Sequence, residues 1–195
     1  SNTALEKCGA FKQVERTRIG SPFVIAGMER MIDSGARRVV GFEANGGFLV
    51  GSLLEKDGRS LQPLPTRDAV LPIIALLAMA REQGVPVSQL PASLPARYTA
   101  SDRIQNFATE KSRQLLEDLA GSNAVLRDFL APLGVALARI DQTDGLRITL
   151  TNSEIVHLRP SGNAPELRCY AEATSQEQAT SLANACLQRI QAFAQ

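Results

Sequence analysis

The sequence predicts an α/β domain, a βαβ unit in a mixed sheet with helices, followed by an α+β domain in which helices cover an antiparallel meander. Three observations carry this. The first 90 or so residues alternate strand-like and helix-like apolar patterns. Residues 85–95 then place Pro86, Pro91 and Pro95 among Ser and Gln, a composition that reads as a linker. Beyond it come short alternating runs parted by tight turns, then one amphipathic helix. The expected domains are residues 1–90 and 91–195.

In the first domain, residues 11–16 (FKQVER) alternate weakly and read as a strand. Ser21 suits a helix N-cap and Pro22 a first helical position. Val24, Met28, Met31 and Ile32 recur at helical spacing, and Gly35 ends that helix. Residues 39–42 (VVGF) read as a second strand, so strand, helix and strand should form a parallel, right-handed crossover. Residues 48–54 suit a further strand turned by Lys56-Asp57-Gly58, and residues 61–66 look irregular. Thr66 is the expected cap of a long helix over 68–83, stopped by Gly84. That helix is apolar nearly all round, which predicts deep burial.

In the second domain, residues 97–99 read as a short strand and 101–119 and 123–133 as helices. The runs 135–140, 146–151, 155–158 and 167–171, with turns at 142–145 and 152–153, give the meander. Thr174 and Glu177 form a capping box. Ala179, Leu182, Cys186, Ile190 and Phe193 then line one face of the closing helix.

Composition narrows the function. The formal charge is +1 with acids and bases interspersed, and aromatics make up 5%; this argues against a nucleic-acid partner. No apolar run is long enough to span a bilayer, so no membrane partner is expected. Cys8, Cys169 and Cys186 are odd in number and widely spaced, which suits reduced thiols in a cytoplasmic protein and neither a disulfide framework nor a metal site. Ser1-Asn2 in place of an initiating Met reads as a tag remnant, so a piece of a longer protein is expected. His157 is the sole histidine and falls within an expected strand, Asp141 and Asp144 flank a turn, and no nucleophile or general base stands out.

Two loops carry candidate chemistry. Residues 159–166 read RPSGNAPE. Small residues there let backbone N–H groups turn inward, and Arg159 adds a charged fork suited to phosphate. Ser161, Gly162 and Asn163 complete a pocket for a phosphate or carboxylate. The same stretch equally suits a hairpin turn with solvated arginines. Residues 43–47 (EANGG) follow a strand end, where α/β sheets bind ligands. Glu43 and Asn45 can read hydroxyl groups there, and Arg18 follows the preceding strand in the same way. A flexible turn with an exposed acid fits those residues too.

Taken together, TRIGS at 17–21, FEANGG at 42–47 and RPSGNAPE at 159–166 resemble, in that order, loops of the α-D-phosphohexomutases, especially the bacterial phosphomannomutases. The resemblance implies the third and fourth domains of a four-domain enzyme, with the phosphorylated serine and the Asp-rich Mg2+ loop on the other two. It implies that Arg159, Ser161, Gly162 and Asn163 hold the non-reacting phosphate, that Glu43 and Asn45 bind sugar hydroxyls, and that Arg18 anchors the ligand. No catalytic residue lies in this chain on that reading, and Mg2+ serves the full-length enzyme without binding here. The implied partners are mannose or glucose 1- and 6-phosphates and the missing domains. The implied reaction interconverts hexose 6-phosphate and hexose 1-phosphate through a bisphosphate. A non-catalytic phosphosugar-binding or interaction module is the alternative. Many family members have Gly-Glu-x-Ser-Gly-His in the sugar loop and Ser-Gly-Thr-Glu-Pro in the phosphate loop. This chain differs at Asn45 and Gly47 in the first, and at Asn163 and Ala164 in the second.

Overall fold

The computed structural model describes residues 2–193; Ser1, read above as a tag remnant, lies outside them. The chain divides into two compact units, residues 5–95 and residues 96 onward, the second also including residues 2–4.

After a single-turn helix α1 (Ala4–Lys7), the first unit contains α2 (Ser21–Asp33), β1 (Val40–Phe42), β2 (Phe48–Val50), β3 (Leu54–Lys56), β4 (Arg59–Leu61), β5 (Leu64–Asp68) and α3 (Val70–Gln83). Its main sheet runs β1-β2-β5, and both pairings are antiparallel. Helix and sheet mix as expected, but residues 11–16 form no strand, so the parallel pair of the expected βαβ unit is not made. The segment's weak alternation offers no apolar face to a ladder; it is held instead by ion pairs from Arg16 to Glu6 and from Glu15 to Arg30. Residues 61–66, expected to be irregular, end in β5, whose pairing with β2 supplies the order its composition does not. The β3–β4 hairpin turns at Asp57-Gly58 as expected.

Two caps move. Gly20 is the N-cap of α2, so Ser21 lies in the first turn. At α3 the Asp68 carboxylate, not Thr66, accepts from the Val70 and Leu71 amides at 2.7 and 3.0 Å. The larger correction concerns the burial of α3. Val70, Ile73, Ile74, Leu76, Leu77 and Met79 are all exposed, and only Ala80 is buried. An all-round apolar pattern needs cover on every side, and the described residues give α3 almost none. The segment read as a linker contains a 3-10 helix over Val87–Ser93 with Leu90 buried. No single helix among the described residues is long and apolar enough to cross a membrane.

The second unit contains β6 (Tyr98–Gln105), α4 (Thr109–Gly121), α5 (Asn123–Leu130), β7 (Leu137–Asp141), β8 (Leu146–Leu150), β9 (Ile155–Pro160), β10 (Glu166–Ala173) and α6 (Gln176–Phe193). One antiparallel sheet has the order β6-β10-β9-β8-β7. The meander β7 to β10 is as expected, and β6 returns to its far edge. Residues 101–105, expected to open a helix, are strand instead. All eight residues of β6 pair with β10, and that ladder overrides a local pattern which only weakly favoured helix. The cap of α6 is Ser175, whose hydroxyl accepts from the Gln178 amide at 3.1 Å; the Thr174 hydroxyl bonds the Gln178 side chain.

Alternation sorts the sheet into two faces. Leu146, Ile148, Leu150, Val156, Leu158, Leu167, Cys169 and Ala171 join Leu115, Leu119 and Phe129 from the helices and Leu182, Cys186 and Ile190 of α6 in one core. The opposite face presents Arg147, His157, Arg159, Tyr170, Arg168 and Arg103, which are register partners across β8, β9, β10 and β6. One end of that face is closed by a buried ion pair. Arg97 Nε lies 2.6 Å from Glu172 Oε1, with side chains 3% and 5% exposed. Thr3 adds its amide and hydroxyl to the same carboxylate. Burial raises the Glu172 pKa, but the bonds from Thr3 and Arg97 outweigh it and leave the carboxyl below its usual range.

Candidate ligand-binding loops

The loop at 160–165 joins β9 to β10, with Arg159 and Arg168 directly opposite one another. Like charges at that spacing repel. Each has a carboxylate beside it: Arg159 Nε lies 3.0 Å from Asp144 Oδ2, and Arg168 Nη2 lies 3.7 Å from Glu166 Oε2, which Arg103 shares at 3.5 Å through Oε1. The backbone pins the base of the loop. The Ser161 amide donates to the Glu166 carbonyl, the Glu166 amide to Ala164, and the Phe107 amide to Pro165, each at 2.8 Å. Ser161 is buried, and its hydroxyl accepts a long 3.4 Å bond from the Asn163 amide. Gly162 and Asn163 form the exposed tip. Among the described residues the Gly162 N–H has no partner, and that of Asn163 has only the long bond to Ser161. Two adjacent, little-used N–H donors at the tip, with Arg159 at the end of the preceding strand, are groups of the kind that can bind an anion. Ser161 thus sits beneath the tip as a brace, a more interior place than its sequence suggested.

The neighbouring turn shapes this site. Gly145 (φ +78°) closes the β7–β8 turn so tightly that a Cβ there would sit 2.4 Å from the Leu158 carbonyl. The His157 Nε2–H donates to the Asp144 carbonyl at 2.5 Å. Burial pushes the imidazole pKa down; Asp144 opposes this, and Arg147 and Arg159 push it lower. A neutral ring at pH 7 follows. His157 is therefore a packed strap on the turn, as its strand position suggested, with Tyr170 beside it.

In the first unit, residues 43–47 link β1 to β2 as a hairpin loop. The Glu43 amide donates to Gly47 at 2.8 Å and the Gly46 amide to Glu43 at 3.0 Å. The Glu43 carboxylate is not the exposed acid of a loose turn: its side chain is 8% exposed, and the Ser21 hydroxyl donates to Oε1 at 2.8 Å. That bond joins the start of α2 to this loop, bringing the two candidate loops of this unit together. Asn45 is exposed, and its side-chain carbonyl accepts from the Gly47 amide at 3.1 Å, which leaves the side-chain amide nitrogen as its donor. Arg18 lies over the Phe23 ring at 5.8 Å. Arg67, which the sequence did not single out, comes within 4.0 Å of Glu43. It runs through the space a Gly47 side chain would fill, 2.8 Å from an ideal Cβ. No spacing rule links Arg67 to Glu43 or Asp144 to Arg159; sheet pairing alone brings them together. Among the described residues, no three His, Cys, Asp or Glu side chains cluster to hold a metal ion.

Residues 1–98 match the model of phosphoglucomutase/phosphomannomutase α/β/α domain III, and residues 89–188 that of the C-terminal domain. The chain belongs to the phosphoglucomutase/phosphomannomutase family. It is 46% identical over 192 residues to a phosphomannomutase of Salmonella muenchen, covering 97% of this chain and 39% of that protein. It is 45% identical over 182 residues to one of Sinorhizobium fredii, covering 93% and 38%. The chain thus spans about two-fifths of these relatives' length. Among solved structures, a phosphoglucomutase/phosphomannomutase family protein from Burkholderia thailandensis superposes with a TM-score of 0.61 at 18% identity, covering 91% of this chain and 32% of that one. Aspergillus fumigatus N-acetylphosphoglucosamine mutase, in complex with GlcNAc-6P and magnesium, superposes with 0.54 at 17% identity, covering 89% and 36%. At these identities the likeness extends to the fold.

Proposed function

We propose that this chain is the ligand-holding part of an intramolecular phosphotransferase that interconverts hexose 6-phosphates and hexose 1-phosphates, with residues 1–90 as domain three and 91–195 as domain four. The observation that carries this is the 159–163 loop: two adjacent, exposed N–H groups that the fold leaves almost unused, following an arginine paired with Asp144. Arg159 with the Gly162 and Asn163 amides would grip the non-reacting phosphate, while Ser161 braces the tip. Glu43 would accept from sugar hydroxyls, held in place by Ser21, and the Asn45 amide would donate to them. Arg18 and Arg67 would supply positive charge beside that loop. The reacting phosphoryl group would pass to and from a serine on a domain outside this chain, by way of a bisphosphate. Phosphoryl transfer depends heavily on positioning and on balancing charge, and those are the tasks these residues suit. Mg2+, which the family implies, finds no suitable donor cluster among the described residues, so no step is assigned to it here. The chain alone would bind without turnover.

Calorimetric titration with glucose 1-phosphate and mannose 1-phosphate tests this. Arg159→Ala should weaken both by at least about tenfold, roughly 1.4 kcal/mol. Glu43→Gln should weaken the hexose phosphates but leave inorganic phosphate unchanged. Wild-type affinity in Arg159→Ala would refute the assignment.

A further inference from the structure

We infer that Asp144 is a positioning residue for the phosphate grip, fixing the direction in which Arg159 presents its guanidinium. The inference rests on the reading of the 159–163 loop given above and adds to it a residue on a different hairpin.

Three separate contacts hold Asp144 against the end of β9. The Gly145 backbone lies so close to Leu158 and Arg159 that no side chain fits between them. The neutral His157 ring holds the Asp144 carbonyl. The Asp144 carboxylate meets Arg159 at Nε, with both side chains only 20% exposed. The β7–β8 turn is thus fastened to the residues preceding the phosphate loop by backbone packing, by a hydrogen bond and by an ion pair.

The point of attachment decides what the carboxylate does. An arginine offers five N–H donors in a rigid fork. With its closest approach at Nε, the carboxylate lies toward the stem side of the fork, and a second oxyanion can approach from the Nη end. Without the carboxylate, Arg159 would lose the ion-pair partner it has among the described residues and have to be ordered by the ligand itself, at the ligand's expense. A carboxylate also repels phosphate, so the opposite effect has to be weighed. On this face of the sheet Arg103, Arg147 and Arg168 stand with Arg159. Positive charge is therefore abundant, and a fixed direction is what Asp144 adds. Orientation outweighs repulsion on this account.

The test uses the 195-residue chain, inorganic phosphate as the probe, and the variants Asp144→Ala, Asp144→Asn and Arg159→Ala, with a melting temperature for each. Asp144→Ala should weaken phosphate about tenfold. Asp144→Asn keeps an acceptor at Nε and should stay within about threefold of wild type, a rescue that a purely structural role would not produce in affinity. The Arg159 Nε–H resonance should lose its protection from solvent exchange in Asp144→Ala and largely keep it in Asp144→Asn. If Arg159→Ala loses phosphate while Asp144→Ala binds as wild type does, or more tightly, the inference fails and the loop assignment stands. If Arg159→Ala binds like wild type, the loop assignment fails and takes this inference with it. A lowered melting temperature with unchanged affinity in Asp144→Ala would assign Asp144 to stability alone and overturn the inference.

Discussion

The two units use similar apolar content to different ends. Among the described residues, the second gathers twenty buried residues into one core, Phe107 from a loop and the rest from three helices and an antiparallel sheet. The first gathers four, Val24, Met28, Val39 and Leu49, and leaves most of the apolar residues of α3 in water. Hydrophobic stabilisation follows area removed from water, so stability should be concentrated in the second unit. The 161–165 loop is accordingly an outgrowth of the better-packed body, pinned at its base by three backbone bonds. The 43–47 loop depends on a thinner sheet and on one side-chain bond from Ser21.

This contrast can be broken by mutation. Phe129 is fully buried, with its ring edge-on to Phe193 at 5.8 Å. Phe129→Ala should cost about 3–5 kcal/mol in urea denaturation. Ile74, on exposed α3, is 57% exposed, and Ile74→Ala should change stability by no more than about 0.5 kcal/mol. Equal losses at the two positions would mean that α3 is buried in solution and the contrast is false.

A smaller effect sharpens it through pH. The His157 pKa is depressed when folded, so its contribution is complete above pH about 6.5, the unfolded value, and is lost as pH falls through the lower folded value. The Glu172 pKa is also depressed; its contribution is complete above the ordinary carboxylate range and is lost as pH falls through the folded value. Both groups lie in the second unit and act with the same sign, so acid should loosen that unit in two stages. Amide exchange across β9 and β10 at pH 7, 5.5 and 4 should show protection falling stepwise. Protection there that rises on acidification would contradict the assignment of both groups.

What the sequence disclosed follows from how local each signal is. The meander, the closing helix and its core face were legible because turn residues and apolar alternation sit close together in the chain. Of β6 only the first residues, 98 and 99, were legible; the rest is strand because of its ladder with β10, more than sixty residues away. The strand expected at 11–16 failed for the converse reason: its alternation found no ladder. α3 misled because an all-round apolar pattern states what a helix needs and not whether the chain supplies it. At the candidate site, Arg159, Gly162, Asn163, Glu43 and Asn45 announced themselves through residue type within single loops. Arg67 and Asp144 did not, because each reaches its partner only across strands.

The central proposal is that the 159–163 tip binds phosphate and that the 43–45 loop binds sugar hydroxyls. The most direct test is an NMR titration of the chain with mannose 1-phosphate and then inorganic phosphate, following backbone amides. The account predicts saturable shifts at Gly162 and Asn163 with both ligands, and at Glu43 and Asn45 with the sugar phosphate alone. Saturable binding that leaves Gly162 and Asn163 unmoved would contradict it.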